Sequence, residues 1–172
     1  MLNLYILRHA ISALADQGAE TGKSDFERPL NERGKADLDL IRTTIMEAEY
    51  FPSHVYCSPA VRTRATLEGI KSVFPGSPAT EYPEHLYSGS TPDYLKTIQV
   101  HERQEPLMLV GHNPMCASLA VQLCSKGEAS ALENVAIKFP AGAFVAIEFE
   151  AENWSQISSQ LGYLKAFHLP GK

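Results

Sequence analysis

The segment Leu4-Tyr5-Ile6-Leu7-Arg8-His9-Ala10 decides how the rest of the chain is interpreted. Residues 2–7 form an apolar run, interrupted only by Asn3, that is about one strand long. Such a run is typical of a strand buried on both faces in an α/β sheet. Ligands of open α/β sheets bind beyond the carboxyl ends of the strands. Arg8 and His9 would stand there, although an isolated Arg-His pair is more often just a basic strand end.

Composition limits the classes of protein to consider. The chain has 172 residues, of which 44% are hydrophobic and 20% charged, so it is long enough to bury a core. Its net charge of −5 gives no general attraction to nucleic acid or to anionic membranes. No apolar stretch approaches the roughly 20 residues of a membrane span, and no basic leader precedes the first strand. We expect one domain over residues 1–172, a cytoplasmic location, and neither a nucleic-acid nor a membrane partner.

The cysteines give no framework for the fold. Cys57, Cys116 and Cys124 are odd in number and form no CxxC pair, which argues against a disulfide scaffold or a structural zinc site. All three lie in apolar segments, so we expect small buried side chains.

Strand and helix patterns alternate along most of the chain. Beyond the first strand, the sequence predicts a long loop over 10–28, a helix capped by Asn31, and an irregular region over 77–92. A helix is expected from Asp93 to about His101. Residues 144–149 alternate as a strand, and 161–167 would be its hairpin partner. The predicted fold class is α/β, with three layers: a mainly parallel central sheet flanked by helices, and antiparallel strands toward the C-terminus.

Two further strands lead into helices in the same way. Residues 55–57 precede Ser58-Pro59, and residues 107–110 precede Gly111-His112-Asn113-Pro114. We expect Ser58 and Asn113 to be N-caps, each with proline at the first helical position. The first of these helices would run to about Phe74 and the second to Lys126-Gly127. Arg62 would then lie in a first helical turn, near free backbone N–H groups.

Three strand ends therefore present four basic side chains, Arg8, His9, Arg62 and His112. Packing explains such a group poorly, because unpaired buried cations are costly. A phosphoryl group explains it well, since it carries about 1.5 to 2 negative charges and matches the arginine fork. The alternatives are that these are separate structural residues, or that His9 and His112 bind a metal. Two arginines and the lack of a carboxylate at these strand ends disfavour a metal, so no metal or cofactor is expected.

The sequence resembles the histidine phosphatase (phosphoglycerate-mutase-like) superfamily. Four motifs in family order carry the resemblance: Leu7-Arg8-His9, Arg28-Pro29-Leu30-Asn31-Glu32-Arg33-Gly34, Ser58-Pro59-Ala60-Val61-Arg62-Thr63-Arg64-Ala65-Thr66 and Val110-Gly111-His112-Asn113-Pro114. Each motif alone is weak evidence for this resemblance, but the four motifs in this order are specific for the superfamily. The resemblance implies that His9 is the nucleophile that becomes phosphohistidine. It also implies a set of phosphate-binding residues, namely Arg8, Arg62, His112, Asn113 and, on the entrance loop, Arg28.

The sequence departs from the family pattern at two places. Ala10 replaces the usual glycine after the histidine. Members that act on alkyl phosphates carry a carboxylate as general acid after the second strand, where this chain has Tyr87 and Ser88. Glu84 or His85 would have to replace that acid. A missing acid in a short chain resembles the SixA-type branch, which removes phosphate from phosphohistidine in proteins.

Three functions remain open from the sequence. The leading one is a phosphohistidine phosphatase acting on a phosphocarrier or histidine-phosphotransfer protein. The second is a phosphomonoesterase for a small metabolite, with Glu84 or His85 as the acid. The third is a non-catalytic phosphate-binding module, against which the intact His9 argues. A mutase would require both an acid and a larger insertion.

Overall fold

A single mixed sheet organises the molecule. The computed structural model describes residues 1–14 and 24–171. Within these ranges the strands are β1 (Leu2–Arg8), β2 (His54–Cys57), β3 (Ala79–Glu81), β4 (Leu107–Gly111), β5 (Cys124–Gly127), β6 (Phe144–Phe149) and β7 (Gly162–His168). Their order across the sheet is β3-β2-β4-β1-β6-β7-β5. The pairs β1–β4, β2–β4, β2–β3 and β5–β7 are parallel, while β1–β6 and β6–β7 are antiparallel.

Helices cover both faces of this sheet. They are α1 (Glu32–Glu47), α2 (Val61–Ile70), α3 (His85–Ser88), α4 (Thr91–Gln99), α5 (Met115–Leu123) and α6 (Ala129–Ile137), with short 3-10 turns at Asp25–Glu27, Lys71–Val73 and Trp154–Gln156. Among these helices, all within residues 1–14 and 24–171, none has both the length and the apolar character needed to cross a bilayer.

The core consists of two apolar clusters, one on each side of the sheet. Apolar residues of α1 and α2, including Ile45 and Ile70, pack on one face. Residues of α4, α5 and α6, including Ile98, Leu119 and Val135, pack on the other. Successive strand residues point to opposite faces, so β1 supplies both clusters: Ile6 belongs to one and Leu7 to the other. The α/β prediction is confirmed, with parallel pairs in the first half and antiparallel pairs at β6 and β7.

Several local predictions are also confirmed. The side chain of Asn31 accepts a hydrogen bond from the N–H of Gly34 and caps α1. Gly34 has to be glycine, because a Cβ there would lie 2.0 Å from the carbonyl oxygen of Ile11. The hairpin partner of β6 is β7. All three cysteines are free and buried.

The N-caps predicted at Ser58 and Asn113 are both wrong, by two residues and one residue respectively. Helix α2 begins at Val61 with Ala60 as N-cap, and the hydroxyl of Ser58 instead contacts His112 in the cleft. Helix α5 begins at Met115 with Pro114 as N-cap. The amide of Asn113 donates instead to the carbonyl of Phe139, and its oxygen accepts from Ala117 at 3.4 Å.

The predicted helix ends also need correction. Helix α2 stops at Ile70 and passes into the 3-10 turn Lys71–Val73. Helix α5 does not reach Lys126-Gly127, because residues 124–127 form β5 and pair with β7. The helix expected over 93–101 is α4, which starts and ends two residues earlier.

Candidate active site

The carboxyl ends of three adjacent parallel strands meet at one cleft. Strand β4 lies between β1 and β2, and the N–H groups of His9 and Ser58 donate to the carbonyls of Gly111 and Val110 at 3.1 and 2.9 Å. These bonds align the residues that follow each strand. The cleft, of about 460 Å³, is lined by Arg8, His9, Asp25, Arg28, Arg62, Tyr87, Ser88, His112, Asn113 and Met115. The four basic residues expected at the strand ends therefore do come together.

His9 is held as a neutral imidazole with one nitrogen free. Its Nδ1 lies 2.7 Å from the carbonyl oxygen of Ala10. A carbonyl only accepts hydrogen bonds, so Nδ1 carries the proton and Nε2 keeps its lone pair. Burial lowers the pKa of His9 to about 4, and the charges of Arg62, Arg8 and Arg28 act in the same direction, against the hydrogen bond to Ala10. At neutral pH the ring is uncharged, and Nε2 keeps the lone pair that a nucleophile requires.

His112 has the opposite tautomer. Nη2 of Arg62 donates toward its Nδ1 at 3.3 Å, so Nε2 carries the proton and donates to Oγ of Ser58 at 2.7 Å. The backbone N–H of His112 donates to the Tyr94 hydroxyl at 3.2 Å, which fixes the residue at the end of β4. Burial, together with the charge of Arg62, lowers the pKa of His112 to about 3. The rings of His9 and His112 lie 5.3 Å apart.

Arg8 and Asn113 are tied to the same oxygen. Nη1 of Arg8 donates to the carbonyl of Phe139 at 2.8 Å, and Nδ2 of Asn113 donates to it at 2.7 Å. Among the described residues, Nε of both Arg8 and Arg62 has no hydrogen-bond partner, so the protein does not use all their donors. Burial lowers the pKa of Arg8. Asn113 lines the cleft, as expected of a phosphate ligand, but its amide hydrogen bonds hold the backbone.

A carboxylate that the sequence did not predict bridges the cleft. Asp25 accepts from Nε of Arg28 at 2.9 Å, from Nη2 of Arg62 at 3.1 Å and from the hydroxyl of Tyr87 at 3.0 Å. Nη1 of Arg28 donates to Ser12 and Ala13. Burial works to raise the pKa of Asp25, but these hydrogen bonds and the charges of both arginines hold it below its usual value. Asp25 is therefore ionised at neutral pH, and the sequence offered only a weak signal for it, an acid three residues before Arg28.

The two residues considered as general acids lie outside the cleft. Neither Glu84 nor His85 is among its lining residues. Nε2 of His85 lies 2.7 Å from the hydroxyl of Thr97 on α4, and Glu84 is exposed before α3. Tyr87 and Ser88, which stand at the position of the missing acid, do line the cleft. The ring of Tyr87 contacts that of His112 edge-on at 5.8 Å.

Comparisons with known proteins agree with this geometry. The model of the histidine phosphatase superfamily (branch 1) matches residues 4–84. This match covers three of the four motifs, which contain His9, Arg28 and Arg62. The chain belongs to the histidine phosphatase superfamily. An uncharacterized protein of Mycobacterium tuberculosis is 31% identical over 169 residues, covering 95% of this chain and 99% of that protein.

Solved structures extend the similarity over nearly the whole chain. A protein from Agrobacterium tumefaciens assigned as the phosphohistidine phosphatase SixA is 27% identical, with a TM-score of 0.76 and 98% of each chain covered. The protein histidine phosphatase SixA complexed with tungstate is 19% identical, with the same TM-score and 98% and 97% covered. The histidine phosphatase fold with SixA-like neighbours supports phosphatase activity.

Ala10, in place of the usual glycine, is buried and avoids positive φ.

Proposed function

We propose that the protein is a phosphohistidine phosphatase that removes phosphate from histidine side chains of partner proteins of the phosphocarrier or histidine-phosphotransfer type. One observation carries the choice of substrate. Asp25 is the one carboxylate among the cleft-lining residues that the structure describes. It is ionised and accepts hydrogen bonds from Arg28, Arg62 and Tyr87. An ionised carboxylate only accepts hydrogen bonds and cannot protonate a leaving group.

The lack of a protonated carboxylic acid among the described lining residues of the cleft selects among leaving groups. An alkoxide leaving group is strongly basic and needs a general acid, which contributes roughly 10²–10⁴-fold. A histidine imidazole is far less basic, so it leaves with little assistance. Transfer to His9 also exchanges one P–N bond for another, which makes the step nearly thermoneutral.

The proposed reaction has two steps. In the first, the lone pair of His9 Nε2 attacks phosphorus while the P–N bond to the substrate imidazole breaks, and that imidazole takes a proton from solvent. In the second, water attacks phosphorus, the bond to Nε2 breaks, and inorganic phosphate leaves with His9 restored. Arg8, Arg62 and His112 surround the cleft and would stabilise the negative equatorial oxygens in both steps. Arg28 would add charge from the entrance loop.

Access to the cleft agrees with a protein substrate. The side chain of Asp25 is 50% exposed and Ser88 is exposed, so the cleft opens at the protein surface beside them. An imidazole projecting from a folded partner would enter at this side. Tungstate in the related SixA structure is a tetrahedral oxyanion, like the phosphoryl group proposed here.

The test compares substrate classes under one condition. Phosphorylated histidine-phosphotransfer and phosphocarrier proteins should be hydrolysed much faster than a panel of small phosphate monoesters. Wild-type enzyme should carry a transient label that is acid-labile and base-stable, and His9→Ala should lose both label and turnover while remaining folded. Turnover close to wild type in His9→Ala would exclude His9 as nucleophile, and preference for a monoester would point to a metabolite phosphatase instead. Stoichiometric phosphate binding without any turnover would indicate a binding module.

A further inference from the structure

A second cluster of polar side chains lies at the other end of the parallel strands. His54 is the first residue of β2, His101 follows α4, and Glu105 precedes β4. Within the part of the chain that the structure describes, these three residues form a group of potential metal ligands. One ligand atom from each residue lies within 4.8 Å of the others. Strand β2 separates His54 from Ser58 at the cleft. At 3.3 Å per residue, this separation is about 13 Å.

Three atoms of this cluster are buried without a hydrogen-bond partner among the described residues, namely Nε2 of His101, Oε1 of Glu105 and Nε2 of His54. His101 is 8% exposed, and its Nε2 lies 3.3 Å from Oε1 of Glu105. Neither atom forms a hydrogen bond with any described residue. Buried polar atoms nearly always have a partner. An atom bound between the two side chains would give each of these two atoms the partner that it lacks. A cation suits this position, because it can bind both a carboxylate oxygen and an imidazole lone pair.

The spacing of the ligand atoms fits a small tetrahedral ion. Zinc ligands at about 2.0 to 2.1 Å from the metal, at tetrahedral angles, lie about 3.3 Å from one another. The observed distance between His101 Nε2 and Glu105 Oε1 is 3.3 Å. Nδ1 of His54 lies 3.8 Å from the same oxygen. Small side-chain rotations would therefore bring all three atoms to coordination distance.

The other ring nitrogen of each histidine lies close to an oxygen atom. Nδ1 of His101 lies 2.9 Å from the hydroxyl of Tyr56. Nε2 of His54 lies 2.9 Å from a carboxylate oxygen of Glu81, at the end of β3. Histidines that bind metals usually donate their second ring N–H to a carboxylate or another oxygen, which fixes the tautomer and orients the ring. The contact of His101 with Tyr56 matches that arrangement. Nε2 of His54 lies within reach of Glu81 without forming a hydrogen bond, and a small rotation of the ring would complete the second contact.

The charges around the cluster favour a cation. Glu105 and Glu81 supply two carboxylates. A basic side chain, Arg103, places its Nη1 3.7 Å from the second oxygen of Glu105, but it is 76% exposed and free to turn into solvent.

We propose that His54, His101 and Glu105 bind one divalent metal ion, with Zn²⁺ as the preferred ion and a fourth position left to water. Two imidazoles and one carboxylate are ligands that suit zinc. The ion would join the start of β2 to the connection between α4 and β4. Because the cluster and the cleft lie at opposite ends of the strands, the ion would stabilise the fold and leave phosphate chemistry to the cleft.

The test measures metal binding on the full chain after treatment with a chelator. Titration calorimetry with Zn²⁺ should give one equivalent per chain, and Co²⁺ should give the intense visible absorption of a tetrahedral site. At a hundredfold excess of Zn²⁺ over Kd, the Tm should rise by about 5 to 10 °C. Glu105→Gln and His101→Gln should lose the binding and the rise in Tm. Glu81→Gln should weaken binding roughly 10- to 100-fold.

Two controls locate the ion. His85→Ala, which removes an exposed histidine outside the cluster, should bind as wild type does. His9→Ala should also keep its one equivalent, because the cleft histidine is not a ligand. Binding that survives Glu105→Gln but is lost in His9→Ala would put the ion in the cleft and overturn the proposal, as would the absence of any stoichiometric binding. If His101→Gln fails to fold, Glu105→Gln decides, and its phosphatase activity should equal that of wild type.

Discussion

Arg62 donates to two oxygens of one residue, Asp25. Its Nη1 lies 2.7 Å from the backbone carbonyl and its Nη2 lies 3.1 Å from the carboxylate. Both terminal nitrogens of the fork that would hold a phosphoryl group are therefore already occupied, Nη2 by the carboxylate of Asp25 and Nη1 by its backbone carbonyl. An incoming phosphoryl group competes with that carboxylate for the same N–H groups, so Asp25 must affect how tightly anions bind.

Asp25→Asn should increase the affinity for inorganic phosphate and tungstate. The substitution removes a negative charge from the cleft, and the side chain is half exposed, so the effect should be about two- to fivefold. The measurement is the inhibition constant of each anion against turnover. Glu47→Gln changes the net charge equally on an exposed position of α1 and serves as the control. Weaker inhibition in Asp25→Asn would show that ordering Arg28 and Arg62 matters more than the repulsion.

Arg62 should matter through its planar fork as well as its charge. Arg62→Ala should slow turnover by roughly 10²–10³-fold, the scale for losing one preorganised donor to the transition state. Arg62→Lys should recover only part of that loss, because lysine cannot donate in bidentate fashion. Arg64→Ala, two residues along α2 and packed against Tyr82, should keep the wild-type rate. Full activity in Arg62→Lys would show that a point charge is sufficient.

The central strands were predictable because their signal is local. Strands β1 and β4 are apolar runs buried on both faces, and each ends abruptly in polar residues. The three residues of β3 are all exposed, so no apolar pattern marks them. Residues 124–127 continue the sequence of α5 but pair with β7, about 38 residues later. That contact depends on tertiary structure, and the helix prediction failed there.

The residues of the site fall into the same two groups: those placed by local sequence patterns and those placed by tertiary contacts. Arg8, His9, Arg62 and His112 follow strands or open a helix, so strand topology alone brings them to one edge. Asp25 meets Arg62 across 37 positions and Tyr87 across 62. Those contacts depend on the path of the entrance loop, part of which, the central portion of 11–26, lies outside the described residues. Sequence spacing carries no information about that path.

The two buried histidines should make the protein sensitive to mild acid. Burial and arginine charges lower the pKa of His9 to about 4 and that of His112 to about 3, whereas an unfolded histidine titrates near 6.5. Below pH 6.5 the unfolded chain takes up protons that the native state does not, so the free energy of unfolding falls as pH decreases. Lowering the pH to 5 should cost about 2 kcal/mol for each histidine.

Urea denaturation at pH 7 and pH 5 checks this dependence. The loss of stability between the two pH values should be smaller in His9→Gln than in wild type, because one of the protonation sites is gone. His85→Gln removes an exposed histidine and should leave the loss unchanged. Equal losses in wild type and His9→Gln would mean that His9 titrates normally in the native state.

The final prediction separates the two enzymatic functions through the leaving group. If the substrate is phosphohistidine, Glu84→Gln and His85→Ala should change its hydrolysis little, because neither side chain lines the cleft. Aryl phosphates, whose leaving groups need little protonation, should be cleaved slowly but measurably. Alkyl phosphates should hardly react, since a general acid would contribute roughly 10²–10⁴-fold to their cleavage. Efficient hydrolysis of a sugar or glycerate phosphate, lost on Glu84→Gln, would make Glu84 the acid and the protein a metabolite phosphatase.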